Sequence, residues 1–462
     1  MLKKLLPLLL VSWSLNVIAA ETAAPPAPQF PRMLERLDVA DGDTIVFLGD
    51  SITHQCLYTQ YIEDFFYTRY PQLKLRFHNA GVGGDRAADA LKRFDRDVAE
   101  YKPRYVTVLL GMNDGGYDQW TPEMFAAYER DMTTLIERIQ AIGATPVLMT
   151  PTMYDTRAAL LKPSARRPAD SPANKYYNAS LAYLGGWVRE QAVNRGLGFV
   201  DMYGPLNNFT LAQRKTEANF TFIPDAVHPE ADGQFIMGFS VLEQMARGPQ
   251  VSSIVATCND GSWTCIAGQG AKVSDLQGDA DDVSFTLTAA VLPWVVPEEA
   301  ALGARLTRAG HRISAATVRF IGLATGRYDL KIDGETVGTY SAAQLGFKIE
   351  LQENPKTPEY QQALAVAMLN KERNEKAVKP LRDLWRDLKV KQRAPDAQEL
   401  EKFLPEFDAK LPERRKLVEE YDQKILALNK PQPHRYELVR VAALTPGKAK
   451  AKKPALEPAV VK

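Results

Sequence analysis

The stretch Thr44-Ile45-Val46-Phe47-Leu48-Gly49-Asp50-Ser51-Ile52-Thr53 joins a short apolar run to a Gly-Asp-Ser turn. Val, Ile and Phe fit a pleated, buried surface, and the glycine lets the chain leave it sharply. The spacing predicts a strand over Thr44–Leu48 with Ser51 at its tip. An open parallel sheet presents its reactive groups at the carboxyl ends of its strands. A serine that caps the following helix has the same local appearance, so this tripeptide alone leaves both roles open.

Outward from it, about Asp41 to Arg247, the same unit recurs: an apolar run, a Gly-bearing loop, then a longer helical period. The runs are Leu73–Phe77, Tyr105–Leu110, Thr145–Thr150 and Gly198–Met202, with helical segments such as Tyr58–Arg69 and Ala87–Glu100 between them. Another helix is delimited by Thr121 as N-cap, Pro122 at its first position and Gly143 past its end. Alternation of this kind predicts the α/β class, a parallel sheet covered by helices on both faces. Three further polar clusters fall where strands end or the unit closes: Asn79-Ala80-Gly81-Val82-Gly83-Gly84-Asp85-Arg86, Gly111-Met112-Asn113-Asp114, and Asp225-Ala226-Val227-His228-Pro229. Singly, each is an ordinary turn or helix cap.

Together and in this order, they resemble the four blocks of the SGNH (GDSL-type) hydrolases, from about Asp43 to Met245. The resemblance implies a flavodoxin-like α/β/α sandwich with a parallel sheet. It implies Ser51 as nucleophile, His228 as base and Asp225 as its acid, with Ser51, Gly84 and Asn113 as oxyanion-hole donors. The chemistry asks for such a set. A serine hydroxyl needs a base to take its proton, the imidazole needs a carboxylate to hold its tautomer and charge, and fixed donors must meet the developing oxyanion.

The chain has five histidines, so the base has competitors. His54 follows Ser51 at helical spacing and is expected as a site wall or substrate contact or, equally, in a structural role, and as a poor base if its side chain leans along the helix; His78 is expected to be packed. Tyr117 and Trp120 are further possible substrate contacts, able to stack on a sugar or to serve the core. No His-Glu-x-x-His pattern or paired Cys/His spacing occurs, and no metal or cofactor is expected. Arg157, Lys162, Arg166, Arg167 and Lys175 make the stretch from Tyr154 to Tyr177 basic, either a solvated loop or a rim for anionic groups.

Beyond the hydrolase-like part (41–248), runs such as Val283–Thr288, Thr317–Leu323 and Tyr328–Ile332, the last before the turn Asp333-Gly334, predict a smaller all-β module over 249–350. A helical C-terminal region follows over 351–435, interrupted near Pro380 and Pro395, and a Lys/Ala/Pro tail over 436–462 is expected to lack order. Gly326 to Gly334 and Ser341 to Leu345 resemble the extension of exported SGNH proteins from environmental bacteria, a resemblance from which no activity carries over. Cys258 and Cys265 flank Asn259-Asp260-Gly261, a hairpin turn signal, and an oxidising compartment would bond them. Cys56 is expected to be a buried small residue.

Lys3 and Lys4, the apolar run from Leu5 to about Leu15 and Ile18-Ala19-Ala20 predict a cleaved export signal over 1–20, followed by a Pro/Ala-rich lead to 40. No stable membrane span is expected, and the location is periplasmic or secreted. A formal charge of +1 offers no basic excess for nucleic acid. The expectation is an exported serine esterase releasing short acyl groups, acetyl first, from a small-molecule or polysaccharide ester. Its rivals are a lysophospholipase or thioesterase of the same family and a catalytically idle glycan-binding scaffold. The oligomeric state is left open.

Overall fold

The structure, a computed structural model, describes residues 30–163, 168–246 and 250–441. The expected export signal, the lead up to Gln29, Arg166 and Arg167, and the tail from 442 lie outside the described residues. A five-stranded parallel sheet is formed by β1 (Thr44–Gly49), β2 (Arg76–Gly81), β3 (Tyr105–Leu109), β4 (Thr145–Met149) and β5 (Gly198–Val200). Its order is β2-β1-β3-β4-β5, the flavodoxin-like arrangement whose switch point lies between β1 and β3. The helices of this part are α1 (Ser51–His54), α2 (Leu57–Arg69), α3 (Ala87–Asp97), α4 (Pro122–Ala141), α5 (Thr156–Leu161), α6 (Asn178–Arg195), α7 (Tyr203–Gln213) and α8 (Ala231–Met245).

Every residue of β1 is buried, because the pleat sends alternate side chains to two different cores. Ile45 and Phe47 pack with Phe65 of α2 and Phe239 of α8, whereas Val46 and Leu48 pack with Phe94 of α3, Met132 of α4 and Val188 of α6. β2 is displaced along the chain from the expected Leu73–Phe77, starting at Arg76 and ending at Gly81, so Asn79 to Gly81 are strand and not loop.

The second half is woven into the first. A β-sandwich is built from β6 (Ser252–Asn259), β7 (Ser262–Gln269), β8 (Ala271–Gly278), β9 (Asp282–Ala289), then, after α9 (Ala301–Thr307) and α10 (Ala309–Ile313), β10 (Ala316–Ile321), β11 (Arg327–Ile332), β12 (Glu335–Ser341), α11 (Ala342–Phe347) and β13 (Ile349–Glu350). Three long helices follow, α12 (Pro358–Arg373), α13 (Lys379–Arg393) and α14 (Ala397–Leu428), before a last strand, β14 (Pro433–Arg440). β14 enters the middle of the sheet β12-β11-β14-β9-β8, burying Tyr436 and Leu438 against Phe285 and Leu330. The helical region therefore ends near 428, not 435. The segment from 436 to 440 is a central strand rather than unordered tail, because alternate Tyr436 and Leu438 complete the sandwich core. Pro380 sits at the start of α13 after a π-helical turn and Pro395 separates α13 from α14.

The turn at Asp260-Gly261, with φ of +49° and +76°, joins β6 to β7 as the dipeptide predicts. The expected Cys258–Cys265 bond is not formed, and Cys258 is a free thiol. Cys258 stands opposite Trp263 and Cys265 opposite Ala256, with a bulge at Val255/Ala256, so the two cysteines are offset along the ladder instead of facing. Cys56 is buried, as expected.

α2 is buried around almost its whole circumference, charged residues included, because the C-terminal helices cover its outer face. Arg373, with no exposed surface, donates to Glu63 at 3.2 Å, to Asp422 at 2.6 Å and to the Phe77 carbonyl at 3.1 Å. Asn370 donates to Asp64 at 2.8 Å and Asn374 to Glu63 at 2.8 Å. Farther along the seam, Arg382 makes a two-pronged pair with Asp97 at 2.8 and 2.9 Å. The planar guanidinium fork matches a carboxylate in this way.

Candidate active site

Ser51 opens α1 directly after β1, so its N–H belongs to the first helical turn and has no partner within the helix. Asp50 caps that helix, accepting from Ile52 N–H at 2.9 Å. The close return of α1 over the sheet depends on missing side chains. A Cβ on Gly49 would come within 2.1 Å of Thr53 Oγ1, and one on Gly81 within 2.4 Å of the His54 nitrogen.

His228 arrives from the loop before α8. Its Nε2 is 2.8 Å from Ser51 Oγ, and its Nδ1 is 2.6 Å from Asp225 Oδ2. Ala226, at φ +71°, bends the loop, and Asp225 Oδ1 accepts from the N–H of Val227 at 2.9 Å and of His228 at 2.7 Å. Burial works to raise the Asp225 pKa, but these hydrogen bonds and the imidazole hold it well below the usual carboxylate range. An ionised carboxylate only accepts, so Nδ1 carries the ring proton and Nε2 of the neutral ring is left to accept from Ser51. Gln234 of α8 ties the loop to α1, donating to Gln55 Oε1 at 2.7 Å and to the Pro229 carbonyl at 3.3 Å while accepting from Tyr58 N–H at 3.1 Å. Nothing in the sequence singles out Gln234, since Gln55 and Tyr58 lie about one domain away in the chain.

After β2 the loop turns at Gly84, φ +71°. After β3, Asn113 Nδ2 donates to the Asp85 carbonyl at 3.0 Å and lies 3.4 Å from Asp50 Oδ2, and Tyr117 donates to its Oδ1 at 3.2 Å. Gly84, Asn113 and Tyr117 line one cavity of about 530 Å³, together with Arg86, Lys92 and Arg393. Asp114 turns away and accepts from Ala87 N–H at 2.9 Å, at the start of α3.

For three features the structure favours one of the two readings that the sequence leaves open, and it is not the substrate-contact one. His54 is buried rather than a substrate contact. Its Nδ1 accepts from Gly83 N–H at 3.3 Å and its Nε2 faces Asp383 at 3.2 Å, while burial and Arg382 push its pKa down to about 4. Trp120 packs against Tyr183 and Phe125, away from the cavity lining. Among the described residues of the basic stretch after β4, Arg157, Lys162 and Lys175 do not line this cavity, and Arg157 donates to the Ala218 carbonyl. His78 is packed as expected, 3.0 Å from Asp97. Among the described residues, no group of three or more His, Cys, Asp or Glu side chains is arranged to hold a metal ion.

Burial pushes the Asp50 pKa up to about 7, with Asp114 and Asp85 adding to the shift and Ile52 N–H and His228 opposing it. A carboxyl whose folded pKa is raised contributes stability that is full below its unfolded value, near ~3.9, and lost as pH rises through the folded one. Asp50→Asn keeps the capping oxygen and removes this titration. It should match the wild type in urea denaturation near pH 4 and exceed it at pH 8, by at most ~1.4 kcal/mol per unit of the interval. An equal difference at both pH values would show that Asp50 does not titrate there.

A parallel sheet of this order, with hydroxyl, imidazole and carboxylate in line at its carboxyl edge, defines a serine-hydrolase architecture. Residues 47–235 match the model of the GDSL-like lipase/acylhydrolase family, and this part of the chain is similar to the SGNH hydrolases, which act on carboxylic esters. An acetylxylan esterase of Geobacillus stearothermophilus is 24% identical over 231 residues, 45% of this chain and 96% of that protein. The thioesterase 1/protease 1/lysophospholipase L1 of Escherichia coli strain K12 is 23% identical over 168 residues, 34% of this chain and 76% of that one. A solved structure described as a gut microbial diltiazem-metabolizing enzyme aligns over 88% of this chain and all of its own, with a TM-score of 0.74 at 23% identity. That likeness extends the shared fold across the second half.

Proposed function

We propose that the protein is an exported serine esterase that removes short acyl groups, acetyl first, from carbohydrate through an acyl-enzyme. The observation that carries this is the line from Ser51 Oγ through His228 to Asp225, with contacts of 2.8 and 2.6 Å. Ser51 Oγ attacks the ester carbonyl carbon as His228 Nε2 takes its proton. The oxyanion is met by the N–H groups of Ser51 and Gly84 and the amide of Asn113. As the carbon–oxygen bond to the alcohol breaks, His228 returns the proton to the leaving oxygen. Water then attacks the acyl-serine, again giving its proton to His228, and the acid leaves with Ser51 restored.

The choice of acyl group and alcohol rests on the acetylxylan esterase relative and on the cavity beside Gly84 and Asn113, whose wall is polar and charged with Tyr117 as its aromatic face. A long apolar acyl chain would desolvate Arg86 and the Asp89 pairs with Arg393 at 2.6 Å and Lys92 at 3.5 Å while offering no polar partner in return, which disfavours the lysophospholipase reading. Export is supported by the Lys3-Lys4 start and apolar run. Among the described residues no helix is long and apolar enough to cross a membrane. The test is hydrolysis of p-nitrophenyl acetate by wild type and Ser51→Ala, followed by acetate release across acetylated polysaccharides. Equal rates for the two proteins would remove the proposal, and release from none of the polysaccharides would remove its carbohydrate part.

A further inference from the structure

The loop after β2 is held from above by a helix whose contacting lysine lies 304 to 306 residues further along the chain. Lys389 of α13 donates to the Gly83 carbonyl at 3.0 Å and to Asp85 Oδ1 at 2.6 Å. Its side chain is 12% exposed and that of Asp85 is fully buried. The other Asp85 oxygen takes Arg93 Nε at 2.8 Å. From below, His54 accepts the Gly83 N–H and is itself held by Asp383, also on α13. Both backbone groups of Gly83 are thus fixed, one directly and one indirectly, by the same helix, which Arg382 pins to Asp97.

The Gly83 carbonyl and the Gly84 N–H belong to one peptide group. We propose that Lys389 is a positioning residue of the active site, orienting and polarising the Gly83–Gly84 peptide so that the Gly84 N–H serves as an oxyanion donor. In a trans peptide the N–H points opposite to the C=O, so an ammonium fixed on the carbonyl directs the N–H away from α13. Two consecutive glycines, with Gly84 at φ +71°, resist rotation of that peptide only weakly; the bond to Lys389 supplies the missing constraint. A cation on the carbonyl oxygen also withdraws charge through the amide and strengthens the N–H as a donor, as hydrogen bonds in a chain do. The C-terminal helices are then a working part of the catalytic centre. This rests on the reading of Gly84 as an oxyanion donor.

The test uses full-length wild type, Lys389→Met and Lys389→Gln, with Ser51→Ala as reference. Lys389→Met should lower kcat on p-nitrophenyl acetate about 10- to 100-fold, less than the loss of a whole donor, with KM changed by no more than about threefold. Lys389→Gln keeps a donor for the carbonyl without the charge and should fall between. In protein labelled with ¹⁵N-glycine, the Gly84 amide resonance should move in Lys389→Met while those of the remote Gly143 and Gly196 stay. That resonance is independent of turnover: if Ser51→Ala is as active as wild type, the esterase reading fails while the Gly84 shift still tests the clamp. If Lys389→Met does not fold, Lys389→Gln carries the same comparison. A folded variant with wild-type kcat, an effect confined to KM, or an unmoved Gly84 resonance would overturn the proposal.

Discussion

Ser51→Ala and His228→Ala should each lower kcat for p-nitrophenyl acetate about 10⁴- to 10⁶-fold, whereas His54→Ala should lower it only about tenfold. The first two remove members of one proton-transfer unit, whose losses are individually almost complete and do not add. The double variant should therefore be no slower than either single one. His54 lies closer to Ser51 in the chain than His228 does, yet its Nδ1 lone pair is occupied by Gly83 N–H and its other nitrogen faces Asp383. It has no free base to offer. Its removal forfeits one neutral hydrogen bond under the loop, worth ~0.5–1.5 kcal/mol. Stopped-flow and steady-state rates on the purified variants decide this. An inactive His54→Ala beside an active His228→Ala would reverse the assignment.

Arg373→Leu should destabilise the protein by about 3–5 kcal/mol, seen as a lower urea midpoint. Arg373 is wholly buried and bonds Glu63, Asp422 and the Phe77 carbonyl at once. Removing one partner of a buried ionic cluster leaves charge in a low-dielectric seam without compensation. Glu63 is already strained in this sense, since burial raises its pKa even with Arg373 and Asn374 beside it. Adding Glu63→Gln to Arg373→Leu should recover part of the loss, because a neutral amide needs no counter-charge; neighbouring sites are not additive. A loss below about 1 kcal/mol would mean that water reaches the seam. The same seam makes excision of residues from 351 onward a poor route to a smaller enzyme.

The residues proposed as nucleophile, base and acid can be picked out of the sequence because each is set by local chemistry. A β-forming run must end before Ser51, and Asp225 reaches His228 within a single turn, so short stretches carry the information. The parallel sheet followed from repeated units for the same reason. What governs the loop under Gly84 was not legible. Lys389 and Asp383 look like ordinary charges on an amphipathic helix, and only the tertiary fold brings α13 against β2. α2 carries the charged Glu63, Asp64 and Arg69, yet each is buried; the partners of Glu63 and Asp64 sit on helices that no pattern links to it. In the hairpin, Asp260-Gly261 announced its turn but not the bulge at Val255/Ala256 that offsets the two cysteines. Tyr436 and Leu438 do alternate as a buried strand should. That short signal was masked by the Lys- and Pro-rich composition just beyond it.

The most direct measurement is labelling of the full-length protein with a p-nitrophenyl alkylphosphonate, whose tetrahedral adduct resembles the intermediate and is not released by water. Stoichiometric nitrophenol release, loss of activity and a phosphonyl group on the peptide bearing Ser51 are the predicted results, with no labelling in Ser51→Ala. An adduct on any other residue, or full esterase activity retained with Ser51 unmodified, would contradict the account.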